Sequence, residues 1–511
     1  MREGGYFEFF MKASTIQVTI ALGVVLSLSG CGGGGTPAGS SPPPPPPPSG
    51  AHEWTWISGA DADLPTDNSD PVYGVQDVAS PTNVPGGRNS AMSWTDASGN
   101  FWLFGGFGLD ANATFSALND LWEFSPSSSE WTWVSGSSTA GTNYNAQYTV
   151  YGQQGVYGVL GAPSASNVPG GRANAVSWVD AGGNLWLFGG LAFDSAGTFG
   201  YMNDLWKFDP GSKQWTWVSG SNTVQGAQTA VFGTQGVAAP SNVPLGVTGA
   251  TGWIDKAGNL WLFGGVAYVQ GYGWYNNLWE FAPSTGQWKW VSGGGSNPNQ
   301  PGNYGTIGVP SASNVPDGRE GTVSWIDSRG FLWLFGGNDG KGSGPGDLND
   351  LWNFNPTSGE WTWISGSNGP AAGLPGQYGM KAVASSSNVP GGRMSAASWI
   401  DSSGKLWLFG GYGYDSTLSS AGGVTLNDLW EFDPSTNEWM WINGSNIGNQ
   451  PGTYGTKGTP APGSVPGGRY NSSSWMDSSG NFWIFAGWGY DNIPVQAGST
   501  ILNDLWRYDP R

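Results

Sequence analysis

Asn100-Phe101-Trp102-Leu103-Phe104-Gly105-Gly106, followed by Asn119-Asp120-Leu121-Trp122, is the stretch that decides the fold. The first run recurs with its indole at Trp186, Trp261, Trp333, Trp407 and Trp483, and the second at Trp206, Trp279, Trp352, Trp430 and Trp506. A Trp-Thr-Trp type of pair recurs from Trp54/Trp56 and Trp131/Trp133 to Trp439/Trp441. A lone indole recurs at Trp94, Trp178, Trp253, Trp325, Trp399 and Trp475. Spacings of 72 to 84 residues mark six tandem units.

Each unit reads as four strands. In the first, strand a runs from Arg88 to Asp96, b from Phe101 to Phe104, c from Leu121 to Phe124 and d from Trp131 to Val134. Asp96-Ala97-Ser98-Gly99 is a tight a–b turn with glycine where φ must be positive. Trp131-Thr132-Trp133 alternates, so both indoles leave the same side of strand d. Four-stranded sheets too thin to bury their faces alone stack radially as a propeller. The spacing predicts an all-β, six-bladed β-propeller of antiparallel strands. The body starts on a strand d (Trp54-Thr55-Trp56) and ends after a strand c (Leu505 to Tyr508). Pairing those two segments closes the ring and leaves no open edge.

An Arg, an apolar strand, Gly-Gly, Asn-Asp-Leu-Trp and a further Trp, repeated six times over 54–511, closely resemble the kelch repeat. These units are longer than kelch repeats usually are. The resemblance implies a kelch-type propeller like the central domain of galactose oxidase. That copper-radical chemistry needs two His ligands and a Tyr crosslinked to Cys. This chain has one His, His52, and one Cys, Cys31, so that activity is excluded. Zinc sites and Ser-His or Cys-His nucleophiles fail for the same shortage.

Composition narrows the partners. Charged residues make up 11% of the chain, against 87 Gly and 32 Trp. The net charge of −18 repels nucleic-acid backbones and anionic lipid. Residues 1–30 read as a signal segment: Lys12, an apolar stretch from Ile16 to Leu28, then Leu28-Ser29-Gly30-Cys31. That order resembles a bacterial lipoprotein signal, with Cys31 lipidated and Gly32 directing the product to the outer membrane; an ordinary secretory signal is the alternative. Met11 is a candidate start. Residues 31–50 form a stalk whose seven prolines, Pro42 to Pro48, make a stiff polyproline rod, and residues 51–511 form the propeller.

Functional residues emerge by subtraction. Thirty of the 32 indoles belong to the repeat, leaving Trp274 and Trp488. Both fall in b–c connections, accompanied by Tyr272 and Tyr275, and by Tyr490 and Asp491. Exposed indoles beside carboxylates suit sugar rings, whereas indoles covering loop backbone carry no function. Asp110, Asp194, Asp415 (after Tyr414) and Asp491 stand at one position after Gly-Gly, where Ca²⁺ binding or local turn capping is open. The Arg opening strand a and the Asp opening strand c are replaced together in the third unit, by Val247 and Asn277. That joint loss marks them as structural partners.

The resulting expectation is a non-catalytic surface binding module for a glycan or protein ligand, with no cofactor, metal or catalytic residue. It is monomeric and touches the membrane only through its lipid. The candidate ligand residues are Trp488, Tyr490, Asp491, Trp274, Tyr272, Tyr414 and Asp415, on the face carrying the long b–c and d–a connections. An envelope sugar enzyme of the sialic acid mutarotase type, using carboxylates and Arg, is the second reading, and a structural spacer the third.

Overall fold

The computed structural model describes residues 52–62, 69–269, 271–341, 347–368, 374–417, 423–493 and 498–511. Cys31, the signal segment and the proline stalk lie outside them. The described chain is all-β apart from one short helix, Val224–Ala227, and its sheets are arranged as in a propeller. Six sheets contain four or more strands. In repeat 2 the order is Val176–Val179, Leu185–Phe193, Phe199–Asp209 and Gln214–Ser219, each strand antiparallel to the next. The sheet of repeat 6 takes its outer strand from the N-terminal side. Trp54–Ser58 lies antiparallel on Thr500–Tyr508, with Trp54 opposite Tyr508 and Trp56 opposite Trp506.

The strand predicted over Arg88–Asp96 is broken in two. Arg88–Asn89 and Met92–Thr95 flank Ser90, whose φ is 57°. The equivalent residues Asn174, Gly249, Gly321, Ser395 and Asn471 also have positive φ. The reason is a circle of backbone hydrogen bonds. Asn174 N–H donates to the Ser90 carbonyl, Gly249 to Asn174, Gly321 to Gly249, Ser395 to Gly321, Asn471 to Ser395, and Ser90 back to Asn471. A β conformation at these positions would turn those N–H groups into the sheet instead of along the circle.

Just outside that circle the first long strands of the sheets touch in turn, and Met92–Thr95 touches Ser473–Met476. Their indoles bridge the sheets. Trp94 Nε1 donates to the Trp186 carbonyl, Trp178 to Trp261, Trp253 to Trp333, Trp325 to Trp407, Trp399 to Trp475, and Trp475 to Trp102. The core lies between neighbouring sheets, where Trp, Phe and Leu from the two facing sides interdigitate. Burying one such side chain contributes about 1.5–3 kcal/mol.

Two connections differ from expectation. The b–c segments are continuations of the strands past Gly-Gly: Phe101–Leu109 pairs with Phe115–Ser125, and Phe482–Gly489 with Thr500–Tyr508. Trp488 therefore sits on a strand, and Trp274 on the short strand Tyr272–Trp274. The long d–a connections are straps over the outer strand. The Asn83 amide donates to the Val78 and Trp131 carbonyls, Ser80 bridges to Trp131, and Val72 pairs with Val84. Four further repeats use Asn167, Asn242, Asn314 and Asn388 in the same way. Their length serves the sheet edge, because each strap supplies hydrogen bonds that an outer strand otherwise leaves unmade.

Candidate binding site

Three polar groups that recur in five of the six repeats are internal ties. The Arg88 guanidinium meets Asp120 in two bonds of 2.8 and 2.9 Å, and also donates to the Gly86 and Gly105 carbonyls. Asp120 Oδ2 further accepts from the Tyr73 hydroxyl and the Trp122 indole, both at 2.7 Å. Arg172–Asp204, Arg319–Asp350, Arg393–Asp428 and Arg469–Asp504 repeat the arrangement with nothing exposed. Burial, and then the Asp120 carboxylate, push the Tyr73 hydroxyl far above its ordinary range. The tyrosine was missed by sequence reasoning, although its signal is plain: Tyr73, Tyr157, Tyr304, Tyr378 and Tyr454 each precede glycine or its equivalent in a strap. Repeat 3 departs at all three positions, with Val247, Asn277 and Phe232. Asn277 there turns to the Gly295 backbone, and a cleft of about 10 Å³, near the size of one water, opens beside Val247.

The aspartates after Gly-Gly are likewise engaged. Asp110 Oδ1 accepts from the Asn112 and Thr114 amides, and Oδ2 from Ala140. Asp194 does the same with Ala196, Thr198 and Val224. Asp415 accepts from Thr417 and Gly448, and Asp491 from Ile493. They cap turns and tie the hairpin tips to the next connection. Among the described residues no group of three or more His, Cys, Asp or Glu is placed to hold a metal ion.

A different set converges at the mouth of the circle. Residues directly opposite in antiparallel pairs share a side, and three such positions per repeat follow the circle and Gly-Gly. They are Asn89, Phe107 and Ala117; Ala173, Leu191 and Tyr201; Thr248, Val266 and Trp274; Glu320, Asn338 and Asp347; Met394, Tyr412 and Thr425; Tyr470, Trp488 and Ile501. In repeats 1 to 3, Phe107, Ala117, Leu191, Tyr201, Val266 and Trp274 pack into one apolar cluster, with Tyr148 and Val150 from a strap and with Tyr272. Trp274 is 9% exposed and belongs to that cluster. Gly340 at φ 66° accommodates it, since a Cβ there would stand 2.5 Å from the indole.

Repeats 4 to 6 line the other half with a different chemistry. The Tyr412 and Tyr470 rings lie 5.5 Å apart at 56°. Trp488 is opposite Tyr470, partly exposed, and donates to Ser499 Oγ at 2.8 Å. Glu320, partly exposed, accepts from the Trp274 indole at 3.3 Å. Asp347 is 1% exposed; its Oδ1 accepts from Asn338 Nδ2 at 3.2 Å and its Oδ2 has no partner. Burial pushes Glu320 up to about 7 and Asp347 well above the usual carboxylate range. Arg393, whose charge acts on Asp347, is paired with Asp428, and Lys341 is paired with Asp317, which Arg319 and Lys341 hold below the usual range although burial opposes this. Tyr490 is half-buried, while Tyr414 and Asp491 are buried.

Of the residues singled out from sequence, Trp488 is thus brought to the mouth and Trp274 with Tyr272 to the packed half. Tyr414, Asp415 and Asp491 lie at buried hairpin tips. Glu320 and Asp347 were not found, because each stands at a position where the other repeats carry unrelated residues.

No family profile matches this chain, and no curated protein does. Among solved structures it is similar to one titled "Structure of YjhT", at 15% identity, over 83% of this chain and 95% of that chain, with a TM-score of 0.47.

Proposed function

We propose that the chain is a kelch-type propeller of six blades, closed by the Trp54–Ser58 strand and carried on a lipid at Cys31, that binds a glycan or protein ligand at the cell surface. The observation that carries the binding role is the partial exposure of Glu320, Tyr412 and Trp488 at the mouth in repeats 4 to 6. Aromatic side chains and two carboxyls without an ion pair among the described residues follow one another there on one side of the sheets.

A glycan array probed with residues 50–511 tests the role. Binding that is lost in Trp488→Ala supports it; no bound glycan and no captured envelope protein would reject it. Release of the Cys31→Ser variant from membranes tests the anchor.

Glu320 favours a second reading. A carboxyl held near 7 is poised to give or take a proton at neutral pH. Sugar anomerisation followed by NMR, faster with the parent than with Glu320→Gln, would decide for an enzyme of the mutarotase type.

A further inference from the structure

The chemistry of the open half of the mouth is one-sided. Its carboxylates are two strands apart, about 10 Å by sheet spacing, and no ion pair reaches either among the described residues. The five arginines nearest to them by sequence pattern are all consumed in buried pairs. An anion is therefore disfavoured here, in a chain that already carries a net charge of −18. A hard divalent cation takes six or more oxygens at short range, which this pair does not provide. What the walls do offer is aromatic faces. A cation over such a face is attracted by the ring quadrupole, and the attraction grows when water is excluded.

Resting on the mouth as the binding site, we propose that its open half takes an organic cation, a quaternary or primary ammonium group, seated among Tyr412, Tyr470 and Trp488 with Glu320 and Asp347 as counter-charges. Asp347 supplies the second, independent mark of a ligand. Its Oδ2 is buried without a partner, and it stands on the same side of the sheet as Glu320. A cationic donor is the kind of group that such a buried carboxylate oxygen pairs with.

Choline and its neutral carbon isostere, 3,3-dimethylbutan-1-ol, separate charge from shape. Calorimetric titration of the folded chain at about pH 8 is expected to show choline binding at least ~10-fold tighter than the isostere, within the range that cation–π contacts and a counter-charge supply. Glu320→Gln and Tyr412→Leu are each expected to weaken choline ~10-fold, while Tyr412→Phe, which keeps the ring face, retains most of the affinity. Circular dichroism melting of each variant checks that it is folded. Equal affinity for the two probes, or no choline binding, overturns the proposal. A neutral glycan that needs Trp488 and is not displaced by choline overturns the cation while keeping the mouth. Choline binding indifferent to Glu320, Tyr412 and Trp488 overturns the mouth as well.

Discussion

Arg88 and Asp120 stand 32 positions apart in the chain and face each other through two parallel bonds, with neither side chain exposed by more than 1%. Such a pair contributes little beyond a well-packed apolar substitute, but breaking it strands a buried charge. Arg88→Met is therefore expected to lower stability by about 3–5 kcal/mol. The triple change Arg88→Val, Asp120→Asn, Tyr73→Phe copies repeat 3 and should cost clearly less than the single one. Guanidinium unfolding of the single and triple variants measures this, and a triple variant worse than Arg88→Met would contradict it.

Much of this was legible in the sequence. Trp102, Trp122 and Trp131 with their repeats gave the sheets and their phase, and the coupled loss at Val247 and Asn277 pointed to the ion pair. What stayed hidden has one physical cause: it depends on relations between repeats. Ser90, Asn174 and Gly249 share no side-chain chemistry, only a backbone angle imposed by the circle they build together. Glu320 and Asp347 were invisible to a search for regularity, since each meets its neighbours only across the sheet and across the mouth. The straps were visible as Tyr-Gly and Asn-Val-Pro, but length alone suggested function where edge protection was the use.

Trp274 and Trp488, alike in sequence, are expected to behave differently. Trp274→Ala empties a packed cluster and should cost about 3–5 kcal/mol. Trp488 is partly exposed, so Trp488→Ala should lower the melting temperature far less. Differential scanning calorimetry of both variants checks the contrast.

Glu320 makes stability depend on pH. Its folded pKa of about 7 lies above the ordinary 4.5. Across that window the folded chain holds a proton that the unfolded chain releases, so this residue's contribution falls as pH rises. Glu320→Gln is expected to melt above the parent at about pH 8, with the difference vanishing by about pH 4. A constant difference across the range would show that Glu320 titrates normally.

Ala486 occupies the first Gly-Gly position in repeat 6 at φ 60°, where the equivalent Gly105 has φ 64°. At Gly105 a Cβ would come within 2.8 Å of two carbonyl oxygens. The Arg469 bond to the Ala486 carbonyl is also longer, 3.3 Å against 3.0 Å for Arg88 to Gly105. Ala486→Gly should relieve the left-handed strain, offset in part by the freer unfolded chain, for a net gain of roughly 0.5–1 kcal/mol. Chemical unfolding reads it directly.

Removing residues 51–58 takes away the strand that lies on Thr500–Tyr508, and with it the fully buried Trp54. The shortened chain is expected to aggregate or lose a cooperative melt, because the bared edge leaves its backbone N–H and C=O groups unpaired. A soluble product with the parent's melting temperature would contradict the pairing.

That pairing also sets a timetable. Trp54 and Tyr508 are neighbours in space and 454 positions apart in order of synthesis. At about 5–20 residues per second, the earlier segment waits ~20–90 s for its partner to be made. Over that interval its two indoles and its open edge are available to any other chain nearby. Holding them apart until the partner strand arrives is a task for the cell's chaperones, and the yield of folded protein should respond to them more than its final stability does.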